Sequence, residues 1–238
     1  MKITCLMPTY NKCPQSQWLL EEAVESFLRQ DYPDKELLIY NDCEAQEIVC
    51  DKPEVVVVNH PHRHASLGEK LNAMAQLADG ELLARWDDDD ISLPWRLSDQ
   101  AARMISAKLD YCAPRTFWAT NKEKTELVHG AYATCMVTRK AALELPYLPI
   151  SFGEDRSFEL ELMDSGYLVD RYHLPVDRVW YLYRWNTGSA HLSGYGEDGD
   201  GWAHIGGKAA TPGTFHLSPY WREDYVARIR AVHKVLGR

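Results

Sequence analysis

The chain has 238 residues, long enough to bury a core without disulfide or metal staples, and its formal net charge of −9 removes any global case for nucleic acid or an anionic membrane as partner. Six cysteines occur with no C-x-x-C pair, which argues against a zinc site and a disulfide framework. The opening MKITCLMPTYN has too brief an apolar run for a secretory leader and no stretch approaches the length of a membrane span, so a cytoplasmic protein is expected.

In chain order, KITCLMP reads as a buried strand ended by proline, with Cys5 a small buried hydrophobe. QWLLEEAVESFLRQ places Leu19, Leu20, Ala23, Val24, Phe27 and Leu28 at helical spacing. KELLIYND and PEVVVVNH read as strands, the first ending in Asn41 and Asp42. SLGEKLNAMAQLA reads as a helix opened by a capping box, Ser66 with Glu69. ELLARWDDDD, residues 81–90, reads as a fourth strand. This rhythm predicts an open α/β domain with a mostly parallel central sheet flanked by helices. Such sheets bind ligands beyond the carboxyl ends of their strands, where Thr9, Tyr10, Asn11, Asn41, Asp42 and the aspartates would gather.

The second half is less regular. A helix is expected from near Pro94, a strand in LDYCAPRTFWAT, a strand and short helix in GAYATCMVTRKAALEL, a helix in SFGEDRSFELELMDSG and a strand in RVWYLYRW. A long loop covers residues 186–219, and REDYVARIRAVHKVLGR closes the chain as a helix. Residues 1–190 are expected to form the main domain, with halves 1–93 and 94–190, and residues 191–238 an appendage.

Four adjacent aspartates, Asp87 to Asp90, raise one another's pKa unless something cationic sits among them. On a strand end Asp87 and Asp89 would point to one side, a pair suited to magnesium or manganese with positions open for phosphate oxygens. The plain alternative is a charged turn in which Asp90 or Ser92 caps the next helix. The turn PTYN, Pro8 to Asn11, offers backbone N–H groups and a hydroxyl at the same edge. Glu154 and Asp155 open a helix, where acids suit the macrodipole; the functional reading makes one of them a general base. His191, in the glycine-rich loop with Arg184 before it, reads either as a third metal ligand or as an exposed residue.

Taken together, PTYN, LLEEAVESFLRQDYPDKELLIYND, GEKLNAM, ADGELLARWDDDD and GEDRSFELELMDSGY resemble the family 2 glycosyltransferases, from about Ile3 to Gly166. The resemblance implies a single A-type glycosyltransferase domain with a Rossmann-like sheet, acting by inversion. It implies a nucleotide-binding set of Pro8, Thr9, Tyr10, Asn11, Asp42, Lys70, Asp87 and Asp88. It also implies an Asp-x-Asp pair, Asp87 and Asp89, holding Mn2+ or Mg2+ on the diphosphate, with Asp155 the base and Glu154 its neighbour. The donor would be a UDP-sugar and the acceptor a hydroxyl on a glycan, a lipid-linked sugar or another molecule. Two departures stand out: the strand tip reads Asn41-Asp42-Cys43 where the family often has two acids, and Lys70 stands where arginine is frequent.

Two rivals are a non-catalytic nucleotide- or carbohydrate-binding relative and a transferase acting on hydroxylated bases in DNA. The basic face of the last helix, Arg222, Arg228, Arg230, Lys234 and Arg238, fits peripheral membrane contact, nucleic-acid phosphates, or an ordinary amphipathic helix packed on the core.

Overall fold

A computed structural model of the protein describes residues 1–12, 14, 16–120, 124–130, 134–184 and 210–236. The elements follow in order: β1 (Ile3–Thr9), α1 (Gln17–Leu28), β2 (Lys35–Asn41), β3 (Gln46–Val49), β4 (Val55–Asn59), α2 (Leu67–Leu77) and β5 (Leu82–Arg85). Then come β6 (Ile91–Ser92), α3 (Arg96–Ala107), β7 (Tyr111–Pro114), β8 (Thr116–Thr120), β9 (Thr125–His129), β10 (Met136–Thr138) and α4 (Arg139–Glu144). The chain ends with α5 (Glu154–Asp164), β11 (Val169–Tyr172), β12 (Tyr181–Arg184), β13 (Gly213–His216) and α6 (Tyr225–Leu236).

Seven strands form the main sheet in the order β11-β7-β10-β5-β1-β2-β4. Every pairing is parallel except those of β10, which runs antiparallel to both β5 and β7. Alternation along a strand sends successive side chains to opposite faces, and β1 does this inside the protein. Ile3, Cys5 and Met7 join the cluster formed with Leu20, Val24 and Phe27 of α1 and Leu97 and Met104 of α3. Leu6 joins the opposite cluster with Leu71 and Met74 of α2, Ala141 of α4, and Phe158 and Leu162 of α5. The sheet is thus covered on both faces, which explains why its strands read as apolar runs. Burial pushes the Cys5 thiol up to about 12, as fits an inert core residue.

A second sheet, β6-β12-β8-β9, packs with α6 around Trp118, Trp180, Tyr225 and Ile229. A third pairing joins β13 to β3.

Several expectations need correction. The first strand does not stop at Pro8 but runs through it to Thr9. The fourth strand ends at Arg85, so Asp87 to Asp90 lie in a turn and strand alternation does not apply to them. LDYCAPRTFWAT is two strands in different sheets, divided at Arg115. Part of the stretch read as loop, Gly213–His216, is a strand. The plain alternative for the aspartates also fails in detail: Trp95 precedes α3 without a side-chain cap, while Ser92 Oγ accepts from Arg96. The capping box of α2 does form, with Ser66 Oγ accepting from Glu69 N at 3.2 Å, though Glu69 reaches back to Ala65 N instead of Ser66 N.

Candidate active site

The site begins where β1 ends. Asn11 adopts a left-handed backbone, φ 46°, which asparagine tolerates better than most residues, so PTYN turns sharply away from the sheet. Gln46 clamps this turn, accepting from Lys12 N at 3.0 Å and donating to Lys12 O at 2.5 Å. Tyr10 lies half-buried under the Arg63 guanidinium, 4.1 Å from its ring centre. Thr9 Oγ1 is buried with no hydrogen-bond partner, an unmet polar group at the ligand edge of the sheet.

Beside it, Asp42 is 2% exposed and pairs with Lys70 Nζ at 2.5 Å. Its other oxygen accepts from His64 N at 3.0 Å, and Lys70 also donates to Thr9 O at 2.8 Å. Burial pulls the Lys70 ammonium below its ordinary range, and Asp42 works against that. Helix α2 therefore pins the tips of β1 and β2 together through one buried lysine.

The same helix fixes the approach to α5. Gly68 is required by close contact: a Cβ there would fall 1.8 Å from Leu148 O. Its amide donates to Ile150 O at 3.0 Å, and Asn72 exchanges two hydrogen bonds with the backbone of Tyr147. The motif Gly68-Glu69-Lys70-Leu71-Asn72 thus divides its labour, with Lys70 turned to the nucleotide edge and Gly68 and Asn72 holding the loop that leads to Glu154.

Three of the four aspartate side chains, Asp87, Asp88 and Asp90, meet identified partners. Asp88 pairs with Lys12 Nζ at 2.7 Å. Asp87 takes Arg85 Nε at 3.2 Å on one oxygen and the Tyr181 hydroxyl at 3.0 Å on the other. Burial holds the Asp87 carboxyl above the usual range, with Arg85 opposing and Asp89 adding to the rise. Asp90, 3% exposed, accepts from Tyr181 Oη and from Arg184 N at 2.6 Å. Arg184, read from sequence as a residue at the edge of the loop, is buried and bonds Glu22 at 2.5 Å and the Asp89 carbonyl. Part of the cationic company that four adjacent carboxylates need is thus supplied by the chain itself.

Across this corner, Gly153 takes a left-handed turn, φ 73°, into α5. Glu154 points inward, 5% exposed, with Oε1 3.6 Å from Arg85 Nη1. Burial pushes its carboxyl up to about 7 despite Arg85. Asp155 is half-exposed and accepts from Arg156 N at 2.7 Å. His191 lies outside the described residues.

Sequence reasoning passed over Lys12, Arg85 and Tyr181. A lone arginine inside the apolar run LLARW was a usable signal for Arg85, whereas nothing local marks Tyr181, which arrives from 91 residues beyond Asp90. Among the described residues no three His, Cys, Asp or Glu side chains form a ready cage for a metal. The carboxylates are an all-oxygen set, which suits a hard cation that completes its shell with phosphate and water. The donor set fits Mn2+ or Mg2+ on that ground.

The profile of the glycosyl transferase family 2 matches residues 4–153. The chain belongs to that family. WcaA of Escherichia coli (strain K12) is 33% identical over 103 residues, covering 40% of this chain and 35% of that one. The GalNAc(5)-diNAcBac-PP-undecaprenol β-1,3-glucosyltransferase of Campylobacter jejuni is 30% identical over 105 residues, 41% of this chain and 32% of that one. The chain therefore spans about a third of the length of these curated relatives. Among solved structures, S. aureus TarS 1–349 in complex with UDP-GlcNAc superposes with a TM-score of 0.62 at 16% identity, over 82% of this chain and 62% of that one. The mannosyltransferase PcManGT of Pyrobaculum calidifontis, in complex with GDP-Man and Mn2+, gives 0.57 at 16% identity over 79% and 59%. The A-type glycosyltransferase fold expected from the sequence is the fold observed. The family match stops one residue before Glu154, so the acidic pair on α5 rests on its own geometry.

No helix among the described residues is long and apolar enough to cross a membrane. The described basic residues of α6 are partly spoken for: Arg228 bonds Glu223, Thr120 and Thr125, while Tyr225 and Ile229 are buried. That is the arrangement of an amphipathic helix packed on the core. Trp118 and Trp180 are fully buried, so neither offers a ring face to a sugar.

Proposed function

We propose that this protein is a metal-dependent inverting glycosyltransferase. It would move a sugar from a nucleoside diphosphate sugar, a UDP-sugar, to a hydroxyl on a glycan, a lipid-linked sugar or another acceptor. The observation that supports this best is a juxtaposition. The Pro8–Asn11 turn, Asp42 with Lys70, the aspartate turn and the start of α5 meet at one edge of the sheet, tied by Lys12–Asp88 and Arg85–Glu154.

The unmet Thr9 hydroxyl, with Tyr10, Asn11, Asp42 and Lys70, would form the nucleotide side. Asp87 and Asp89 would hold Mn2+ or Mg2+, which when bound neutralises charge on a leaving diphosphate. Asp155 is the candidate base because it is the more exposed of the pair on the first turn of α5, while Glu154 is buried. Asp155 takes the proton of the acceptor hydroxyl as that oxygen attacks the anomeric carbon. The bond to the diphosphate oxygen breaks from the opposite side, so the anomeric centre inverts.

A base of this kind contributes about a hundred- to ten-thousand-fold in rate. Asp155→Asn should lose turnover on that scale, measured as nucleoside diphosphate release from UDP-GlcNAc or GDP-mannose with Mn2+, while binding of UDP with Mn2+ stays within a few-fold. Turnover undiminished in Asp155→Asn would remove Asp155 from this role.

A further inference from the structure

Arg85 closes β5 two residues before the first aspartate, and it lines a small, largely apolar cavity together with Leu6, Leu71, Leu83, Val137 and Tyr147. The residue is 8% exposed, and its Nη1 atom makes no hydrogen bond. A cation in such surroundings needs carboxylates, and two face it: Asp87 at 3.2 Å from Nε and Glu154 Oε1 at 3.6 Å from Nη1. These acids come from different parts of the fold, the turn after β5 and the first residue of α5. We propose that Arg85 is a positioning residue, a single buried guanidinium that holds the diphosphate-binding corner and the base-bearing start of α5 in one register.

The proposal rests on the glycosyltransferase reading of the site and deepens it. Arginine suits this task because its planar fork presents donors in two directions, whereas a lysine ammonium is a point charge on a flexible stem. The backbone of Arg85 is fixed as well: its amide donates to Cys135 O at 3.0 Å and its carbonyl accepts from Arg96 Nη2 at 2.5 Å. The two ends of the crossbar are not equivalent. Asp87 is also held by the Tyr181 hydroxyl, whereas among the described residues Arg85 is the one cation paired with Glu154. Loss of Arg85 should therefore disturb α5, and with it Asp155, more than it disturbs the aspartate turn. A carboxylate base moved by about 1 Å costs roughly a hundredfold in rate.

The test compares wild type with Arg85→Met, Arg85→Lys and Glu154→Gln above the Glu154 pKa of about 7, where that carboxylate is charged, by three readouts. These are titration of UDP in the presence of Mn2+, turnover of UDP-GlcNAc or GDP-mannose, and backbone hydrogen exchange. Arg85→Met should bind UDP with Mn2+ within about threefold of wild type, lose about a hundredfold in kcat, and exchange faster at residues 154–158 while β1, β2 and β5 stay protected. Arg85→Lys should recover part of the loss. Glu154→Gln added to Arg85→Met should cost little more, because both changes break the same link. Should Arg85→Met fail to fold, faster exchange confined to the start of α5 in Glu154→Gln and Arg85→Lys supports the crossbar in its place. Unchanged kcat with unchanged exchange, or exchange raised evenly across the sheet, would overturn the crossbar. If wild type binds and turns over none of these nucleotides, the transferase reading fails, and the exchange pattern still decides what Arg85 does.

Discussion

The aspartate turn and the acidic start of α5 present the same chemistry in sequence, adjacent carboxylates, and the fold treats them in opposite ways. In the turn, Asp87 is met by Arg85, Asp88 by Lys12 and Asp90 by the Arg184 amide, and Asp87 and Asp90 share the one proton of the Tyr181 hydroxyl, which lies nearer Asp90. At α5 burial separates two neighbours, leaving Glu154 inward with its carboxyl raised to about 7 and Asp155 half-exposed. One corner surrounds its carboxylates with donors, the other buries one acid of a pair and leaves its neighbour partly exposed. Adjacent acids in sequence therefore say little about role until their partners are known.

The contrast is broken most strongly at Asp90. It is 3% exposed and serves a tyrosine hydroxyl and a backbone amide, so Asp90→Ala should destabilise the fold by about 3–5 kcal/mol in denaturant melts. A loss below about 1 kcal/mol would show that this carboxylate is not structural.

The next effect is a pH dependence. Glu154 has its folded pKa raised from 4.5 to about 7, so the folded state keeps its proton longer than the unfolded chain does. Its contribution to stability is therefore greatest below pH 4.5 and falls as pH climbs through 7, by up to about 3 kcal/mol. Glu154→Gln should flatten that part of the stability profile, and an unchanged slope between about pH 5 and 7 would contradict the assignment. Asp155→Asn should have the smallest effect on stability, within about 0.5 kcal/mol, since among the described residues this half-exposed side chain accepts from the adjacent amide alone.

The parallel half of the fold was legible because its central strands β1 and β5 are buried on both faces and α1 carries an apolar stripe of Leu20, Val24 and Phe27. The second sheet was not, because its pairings are long-range. β6 is two residues long, β9 was absorbed into a gap between expected elements, and Arg115 divides what reads as a single strand. The same holds at the site. Pro8 to Asn11, Asp42, the aspartates, Glu154 and Asp155 stood out as candidates because strand ends and helix starts mark themselves, and Lys70 through the family resemblance alone. Lys12, Arg85 and Tyr181 owe their importance to partners that only the fold supplies.

The central claim, that the aspartate corner receives a diphosphate together with a divalent cation, is tested most directly by thermal shift. The protein would be melted with UDP, GDP, CMP and dTDP, each with and without Mn2+, alongside Asp89→Ala. One nucleoside diphosphate should stabilise the wild type by about 2.7 kcal/mol at a hundred times its Kd, only with Mn2+ present, and Asp89→Ala should abolish the shift. Stabilisation by none of them in either condition, or a shift that survives in Asp89→Ala, would contradict it.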